Sequence, residues 1–216
     1  VDDAIDVMQE EATEDIEKMA AMLPSEHSYF KTGVFATYKS RITWLMVLMI
    51  SAIFTGAILK NFEDKLAVFP ALISFVPMLM DTGGNSGGQS SVTVIRSISL
   101  GDIEFSDIFR VLWKEFRVAL CCSATLAAVL ALKLYIVDYL VMHTFDAGKA
   151  IPEATVVCLT LMCTVIIAKI IGCSLPVIAK KIGFDPAVMA SPLITTIVDA
   201  VSLMVYFGMA SIFLGK

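Results

Sequence analysis

The chain has 216 residues, of which 57% are hydrophobic and 17% charged, and its formal net charge is −5. A soluble domain carries about 25% charged residues, whereas the apolar residues here are gathered into runs long enough to cross a bilayer. These values exclude a soluble globular domain and predict an all-α polytopic membrane protein, because each helix satisfies its own backbone hydrogen bonds in lipid.

Acidic residues are concentrated at the N-terminus, where residues 1–26 hold nine acids and one lysine. Apolar residues recur every three or four positions between Ile5 and Leu23, and acids follow the same period on another face. We therefore predict an acidic amphipathic helix in a segment, 1–26, that precedes a membrane domain, 27–216. Acids at this density repel one another and favour a divalent cation, although a solvated linker helix is the simpler interpretation. The acidic face includes Asp6, Glu10, Glu14 and Glu17.

Five transmembrane helices are predicted in residues 27–216. The fourth is expected to be interrupted near Gly172 and Pro176. Lysine and arginine are more frequent in the segments that share a side with the N-terminus, which predicts a cytoplasmic N-terminus and an outer C-terminus. The predicted spans cover about 42–59, 66–100, 105–137, 152–180 and 184–215.

The second predicted span contains a glycine-rich polar stretch after Asp81. Its four glycines form two interleaved GxxxG pairs, which permit close approach of helices. Two amide side chains lie in the same stretch, and polar side chains at this depth are functional or paired. These residues are Gly83, Gly84, Gly87 and Gly88 for the glycines and Asn85 and Gln89 for the amides.

The fifth predicted span holds one carboxylate in an apolar run. Asp185 followed by Pro186 predicts a helix start. Asp199 lies about 21 Å further along the helix, near the bilayer centre, where a charge costs about 2.5–3.5 kcal/mol. Pro192 is expected to free the carbonyl of Val188 from the helix.

A polar face runs along this same helix. Hydroxyls, freed carbonyls and a carboxylate on one face are typical of a path for a hydrated cation. A buried aspartate bonded to a neighbouring helix is the alternative. The face consists of Ser191, Thr195, Asp199, Ser202 and Tyr206, at spacings of four, four, three and four.

The available ligands narrow the possible cation toward one that keeps its water. Calcium wants six to eight oxygen ligands, and transition metals prefer histidine or cysteine, yet both histidines, His27 and His143, lie outside the spans. Mg2+ is commonly held by one or two carboxylates while it retains water. A twofold dimer that brings two Asp199 side chains together would match its charge, although the spacing does not establish one.

Three segments resemble the transmembrane domain of the MgtE family of magnesium channels. They are VDDAIDVMQEEATEDI at 1–16, GGNSGGQSSVTVIRSISLGDI at 83–103 and DPAVMASPLITTIVDA at 185–200. The resemblance implies a homodimer of five-helix protomers in a cell membrane, with a pore on the dimer axis lined by the second and fifth helices. It also implies cytosolic regulatory domains, including a CBS pair, that would precede this segment, since the chain starts in mid-helix pattern.

The resemblance further implies roles for particular residues. By this resemblance, Asp199 is the aspartate that selects hydrated Mg2+, and backbone oxygen near Thr195 also contacts the hydrated ion. Asp185 lies at the cytoplasmic mouth, and Ser191 is a further candidate for an ion contact. Residues 1–22 become a plug helix that closes the pore when Mg2+, acting as a regulator, bridges its acids. The pore-lining candidates are Gly83, Gly84, Asn85, Gly87, Gly88, Gln89 and Ser202.

The sequence thus predicts a passive Mg2+ channel module that works in lipid and binds no nucleic acid. A carrier coupled to Na+ or protons, and a channel that also passes Mn2+, Co2+ or Ni2+, stay open as alternatives. An intramembrane enzyme would want a histidine-containing site, and neither histidine falls within a predicted span. We therefore do not expect an enzyme.

Overall fold

A computed structural model describes residues 2–24, 30–62, 70–143, 150–189 and 191–214, and every regular element in these ranges is helical. The long helices are α1 (Asp2–Met19), α2 (Val34–Asn61), α4 (Val76–Ser99), α5 (Ile108–Lys133), α6 (Ala150–Lys181) and α7 (Ser191–Phe213); α3 is the single turn Pro70–Ile73. Short 3-10 turns at Phe105–Asp107 and Pro186–Met189 precede α5 and α7, and a π-helix, Leu134–Val141, continues α5.

Within the described residues, four helical segments are long and apolar enough to cross a membrane. They cover Val34–Asn61, Phe105–Val141, Ala150–Lys181 and Pro186–Phe213. The chain is therefore a multi-pass membrane protein. The glycine-rich α4, which falls in the second predicted span, is too polar to belong to this set. The count of five spans stays a prediction.

Two details of the fourth predicted span are corrected by α6. The helix begins at Ala150 and runs without a break to Lys181, with Pro176 inside it. The predicted interruption near Gly172 and Pro176 is wrong, because neighbouring helices support a proline-containing helix in a packed bundle. The helix ends where Gly183 adopts φ 82°, a conformation open to a residue without a Cβ. The Phe184 N–H then donates to the Ala179 carbonyl at 2.9 Å.

The bundle has an apolar cluster at each end. One, which includes Leu72, Leu79 and Val156, joins α3, α4, α5, α6 and α7. The other, which includes Val94 and Val177, joins α4, α5 and α6. Ala168, Ile194 and Val198 form a further cluster that faces the glycines of α4, beside the candidate site.

The acidic helix α1 lies across the end of the bundle that holds the second cluster. Met19 packs against Ile95 and Ala187, and the Leu23 N–H donates to the Ser40 carbonyl at 3.0 Å. The apolar side chains Met8 and Ile16 are 71% and 63% exposed in the chain. The boundary at residue 26 lies outside the described residues.

Candidate ion pathway

Glycines on α4 bring three helices into close contact. A methyl group on Gly83 would lie 2.6 Å from Thr164 Cγ2 of α6, and one on Gly84 would lie 2.8 Å from Thr195 Cγ2 of α7. A methyl group on Gly172 of α6 would lie 2.2 Å from the Gly87 carbonyl oxygen. Because no Cβ fits at these points, α4 packs directly against α6 and α7, as the GxxxG pairs predict.

The close approach of α7 sets the position of Asp199. Thr195 lies against Gly84, and Val198 is buried beside Gly83 and Gly87. Asp199, the next residue, is partly buried, and Asp81 of α4 lies close enough for the two charges to repel each other. Of these two carboxylates, Asp199 was proposed from the sequence as an ion ligand and Asp81 was not.

Hydroxyl groups near the start of α7 bond to the helix backbone. The Thr195 and Thr196 hydroxyls both donate to the Pro192 carbonyl, at 2.9 and 3.0 Å. Pro192 lies in the first turn of α7, which begins at Ser191, and proline is tolerated there. Val188 lies before this helix, in the turn Pro186–Met189, so the release of its carbonyl by Pro192 stays a prediction. The Ser191 side chain lies outside the described residues.

The predicted polar face of α7 is divided by burial. Ser202 is 2% exposed and donates to the Val198 carbonyl at 2.6 Å, and Tyr206 is 1% exposed and donates to the Leu72 carbonyl at 2.8 Å. Thr195 and Asp199 are only partly buried. Within one chain, the accessible part of this face is therefore the Thr195–Asp199 turn. The pore-lining role of Ser202 stays a prediction.

The amide side chains of α4 face away from the glycine contacts. Asn85, Gln89 and Asp81 are exposed and line a cavity of about 550 Å³ against α5. Gly83, Gly84, Gly87 and Gly88 are buried. The predicted pore-lining residues of this helix therefore lie on two different faces. The remaining side chains that line the cavity are Thr82, Ser86, Cys121, Cys122, Thr125, Leu126 and Lys169.

A buried charged network ties α4, α5 and α6 together beside this cavity. The Lys169 ammonium donates to the Ser90 hydroxyl at 3.3 Å, and that hydroxyl donates to Glu115 Oε2 at 2.6 Å. Lys169 is 4% exposed. The sequence analysis did not assign this network, although a lysine in mid-span is itself a signal that a buried partner must exist.

Asp185 lies where α1 meets the bundle. Its Oδ1 accepts the Ala187 N–H at 2.8 Å, which is the predicted cap, although it caps a 3-10 turn that precedes α7. Its Oδ2 accepts from Lys18 at 2.5 Å, and Lys18 also pairs with Glu14 at 2.6 Å. One lysine therefore links the acidic helix to the mouth residue.

These contacts shift the pKa values of the groups around Lys18. Partial burial acts to raise the pKa of Asp185, but the hydrogen bonds from Lys18 and the Ala187 N–H lower it overall. Hydrogen bonds to Asp185 and Glu14 raise the pKa of Lys18. Burial, followed by repulsion from Asp185, raises the pKa of Asp15.

The other predicted plug residues lie apart from this contact. Glu10 is exposed and Glu17 is partly buried, while the side chain of Asp6 lies outside the described residues. No group of three histidine, cysteine or carboxylate side chains in the described ranges could hold a metal ion.

Comparisons with known proteins identify the family of this chain. Residues 76–209 match the model of the MgtE family, described as divalent cation transporters. The chain is 35% identical over 214 residues to the magnesium transporter MgtE of Thermus thermophilus and to that of Bacillus subtilis, and 30% identical to that of Enterococcus faecalis. Each match covers 99% of this chain and 44–45% of the relative, so the chain spans less than half the length of these relatives.

Proposed function

This chain belongs to the MgtE family of divalent cation transporters, and we propose that it forms the pore of a magnesium channel that conducts hydrated Mg2+ into the cytoplasm. The observation that carries the proposal is the position of Asp199. It lies partly buried on α7, one residue after a glycine-packed contact with α4 and within electrostatic range of Asp81.

Magnesium is supported by the ligand chemistry of the Thr195–Asp199 turn. Carboxylate and carbonyl oxygens are the ligands that hard cations prefer. The single Asp199 would contact the water shell of Mg2+, with the backbone oxygens of the turn near Thr195 as additional acceptors. Asp185 and Ser191 would contact the ion nearer the cytoplasmic mouth.

A homodimer would complete the pathway. Two copies related by a twofold axis would place two Asp199 carboxylates opposite each other and so match the charge of one Mg2+ ion. Such a pore needs α4 as a fifth span, and its length of 24 residues, about 36 Å, is sufficient for this. Five spans would place the N-terminus in the cytoplasm and the C-terminus outside.

The membrane potential would drive the ion without a coupled reaction. Two charges that move inward through 100 mV release about 4.6 kcal/mol. Mg2+ would also regulate the pore, because α1 carries its acids to the end where Asp185 lies and a divalent cation could join them. Lys18 supplies positive charge at the same place in this structure.

The test is Mg2+ uptake into proteoliposomes under an imposed potential. We expect Asp199→Ala to abolish selective uptake, because the intramembrane carboxylate is lost, and Asp199→Asn to reduce it strongly. Asp102→Asn is the matched control, since this carboxylate is exposed in the turn before α5. Uptake that survives Asp199→Ala unchanged would refute the assignment.

The same vesicles separate the alternative transport mechanisms. Uptake that follows a Na+ or proton gradient and ignores the potential would instead indicate a coupled carrier. Equal uptake of Mn2+, Co2+ or Ni2+ would indicate a broader divalent cation channel.

A further inference from the structure

A basic surface lies on the first three turns of α5. Arg110, Lys114 and Arg117 are all exposed, and at 100° per residue they fall within about 60° of one another around the helix. Glu115 lies on another face, where it accepts the Ser90 hydrogen bond. We call the three residues the α5 basic stripe.

The counter-charges near the stripe are weak. Arg110 reaches Asp107 only at 3.9 Å, and its side chain is 89% exposed, so water screens the pair. Asp107 also accepts the Glu104 N–H at 3.2 Å in the turn before the helix. Within the described residues, no ion pair involves Lys114 or Arg117. The stripe therefore keeps most of its positive charge for an external partner.

Exposed aromatic side chains flank the stripe. Phe109 is 81% exposed and Trp113 is 60% exposed. The Arg117 guanidinium lies 5.7 Å from the centre of the Trp113 ring, and Trp113 stacks on Phe116. A surface that alternates cations with aromatic rings is typical of a helix at the boundary between headgroups and acyl chains.

The length of the helical segment places the stripe at that boundary. Phe105–Val141 contains 37 residues, about 55 Å of helix, whereas the hydrocarbon core is about 30 Å thick. The part from residue 118 onward is mostly apolar and spans about 36 Å by itself. The first three turns of α5 therefore lie at the level of the lipid headgroups.

We propose that the α5 basic stripe, with Phe109 and Trp113, binds the headgroup of an anionic phospholipid. The cations attract the lipid phosphate, and the two rings pack beside the upper part of its acyl chains. The Lys181 ammonium, 3.6 Å from the centre of the Phe105 ring, adds positive charge from the end of α6. Charge complementarity identifies the partner, because clustered lysine and arginine beside a membrane attract anionic lipids.

Trp113 is a built-in reporter for this contact, since the chain has two tryptophans and Trp44→Phe removes the other. The full chain is placed in phosphatidylcholine vesicles that contain phosphatidylglycerol. The acyl chains of one lipid or of the other are brominated near the headgroup. We expect brominated phosphatidylglycerol to quench Trp113 with a relative association constant at least about fivefold above that of phosphatidylcholine, the effect of one basic residue near an anionic surface.

Two variants decide the assignment. Arg110→Gln/Lys114→Gln/Arg117→Gln should abolish the preference for phosphatidylglycerol. Lys31→Gln/Lys39→Gln/Arg41→Gln removes three exposed charges near the same end of the bundle, but on and before α2, and should leave the preference unchanged. A preference that survives the first variant, or that falls equally in the second, would overturn the proposal.

The Trp44→Phe chain with the stripe intact provides a test that needs no charge variant. Raising NaCl from about 0.1 to 1 M shortens the Debye length from about 10 to 3 Å, so the preference should fall steeply. Equal quenching by both lipids at low salt would refute the proposal. No quenching by either lipid would do the same, because it would mean that another copy of the chain covers this face.

Discussion

Helices α2 and α4 have similar lengths and opposite surroundings. In α2 no residue is buried, and large apolar side chains such as Ile53 and Phe54 are 65% and 68% exposed. In α4, which contains four glycines and several hydroxyl and amide residues, half of the positions are buried by neighbouring helices. The more polar helix is therefore the interior one.

This difference follows from the solvent. Lipid is as apolar as leucine, so a helix that is apolar all round gains little by burial against protein. A helix with small and polar residues gains close packing and hydrogen bonds only inside the bundle. In this protein, the more polar helix therefore marks the interior of the bundle, where Ser90 and the four glycines of α4 lie.

The largest effect should come from the buried charge beside α4. Lys169→Met removes the cation that faces Ser90 and leaves Glu115 inside the bundle, at an expected cost of about 3 kcal/mol in the free energy of unfolding. Lys60→Met, at the exposed end of α2, should change it by less than about 0.5 kcal/mol. Titration with a denaturing detergent measures both values.

A double variant distinguishes the charge from its packing. Lys169→Met/Glu115→Leu removes both charges and should recover part of the lost stability, since an apolar pair of similar volume tolerates burial. If the losses in the free energy of unfolding from Lys169→Met and from Glu115→Leu simply add in the double variant, the network does not act as a unit.

Substitution of a glycine at a helix contact should give the next largest loss in the free energy of unfolding. Gly172→Ala places a methyl group 2.2 Å from the Gly87 carbonyl oxygen, so the backbones must separate, at a cost of about 2 kcal/mol. Gly56→Ala in α2 meets no atom within 4 Å and should be neutral or stabilising by up to about 1 kcal/mol, because alanine favours a helix. The same titration tests both, and equal effects would contradict the distinction between the helices.

The sequence was sufficient for the helical class and the family, whereas the ion-binding role of the Asp199 turn stays a prediction. Apolar runs and the capping pair Asp185–Pro186 are local signals, and the structure places a helix or turn at each. The GxxxG spacing correctly predicted close packing of α4. These features depend on the neighbours of a residue along the chain, which a sequence displays directly.

Other features depend on contacts between distant segments. Ser90, Glu115 and Lys169 come from three helices, and no spacing relates them. The division of the α7 polar face arises because Leu72, 134 residues away, accepts the Tyr206 hydroxyl. The continuity of α6 through Pro176 likewise depends on packing, whereas the intrinsic preference of proline predicts a break.

Helix α1 also lies outside the core, and it differs from α2 in how it is attached. The C-terminal end of α2 contacts α7 through stacked rings, with the ring centres of Phe62 and Phe207 4.5 Å apart. Helix α1 is held by the packing of Met19 and by the ion pair between Lys18 and Asp185. The attachment of α1 should therefore respond to pH and salt, and that of α2 should not.

The smallest effect should be the pH dependence of α1 docking. Ionised Asp185 has a lowered pKa in the docked state, so its contribution is complete above its ordinary value of 3.8 and is lost as the pH falls through the lowered value. Asp15 has a raised pKa, so its charge opposes docking until it is protonated. Docking should therefore tighten slightly as the pH falls from 7 and weaken again below 3.8.

Spin labels at Glu11 and Val92 in a cysteine-free background measure this docking as a distance between α1 and α4. Lys18→Met should loosen α1 at neutral pH by at most about 1 kcal/mol, since the pair is partly exposed. Asp185→Asn should remove the weakening below pH 3.8. A distance that changes monotonically with pH when Asp15, Lys18 and Asp185 are all present would contradict opposing effects of Asp15 and Asp185. Helix α1 would then be held by apolar contacts, as α2 is.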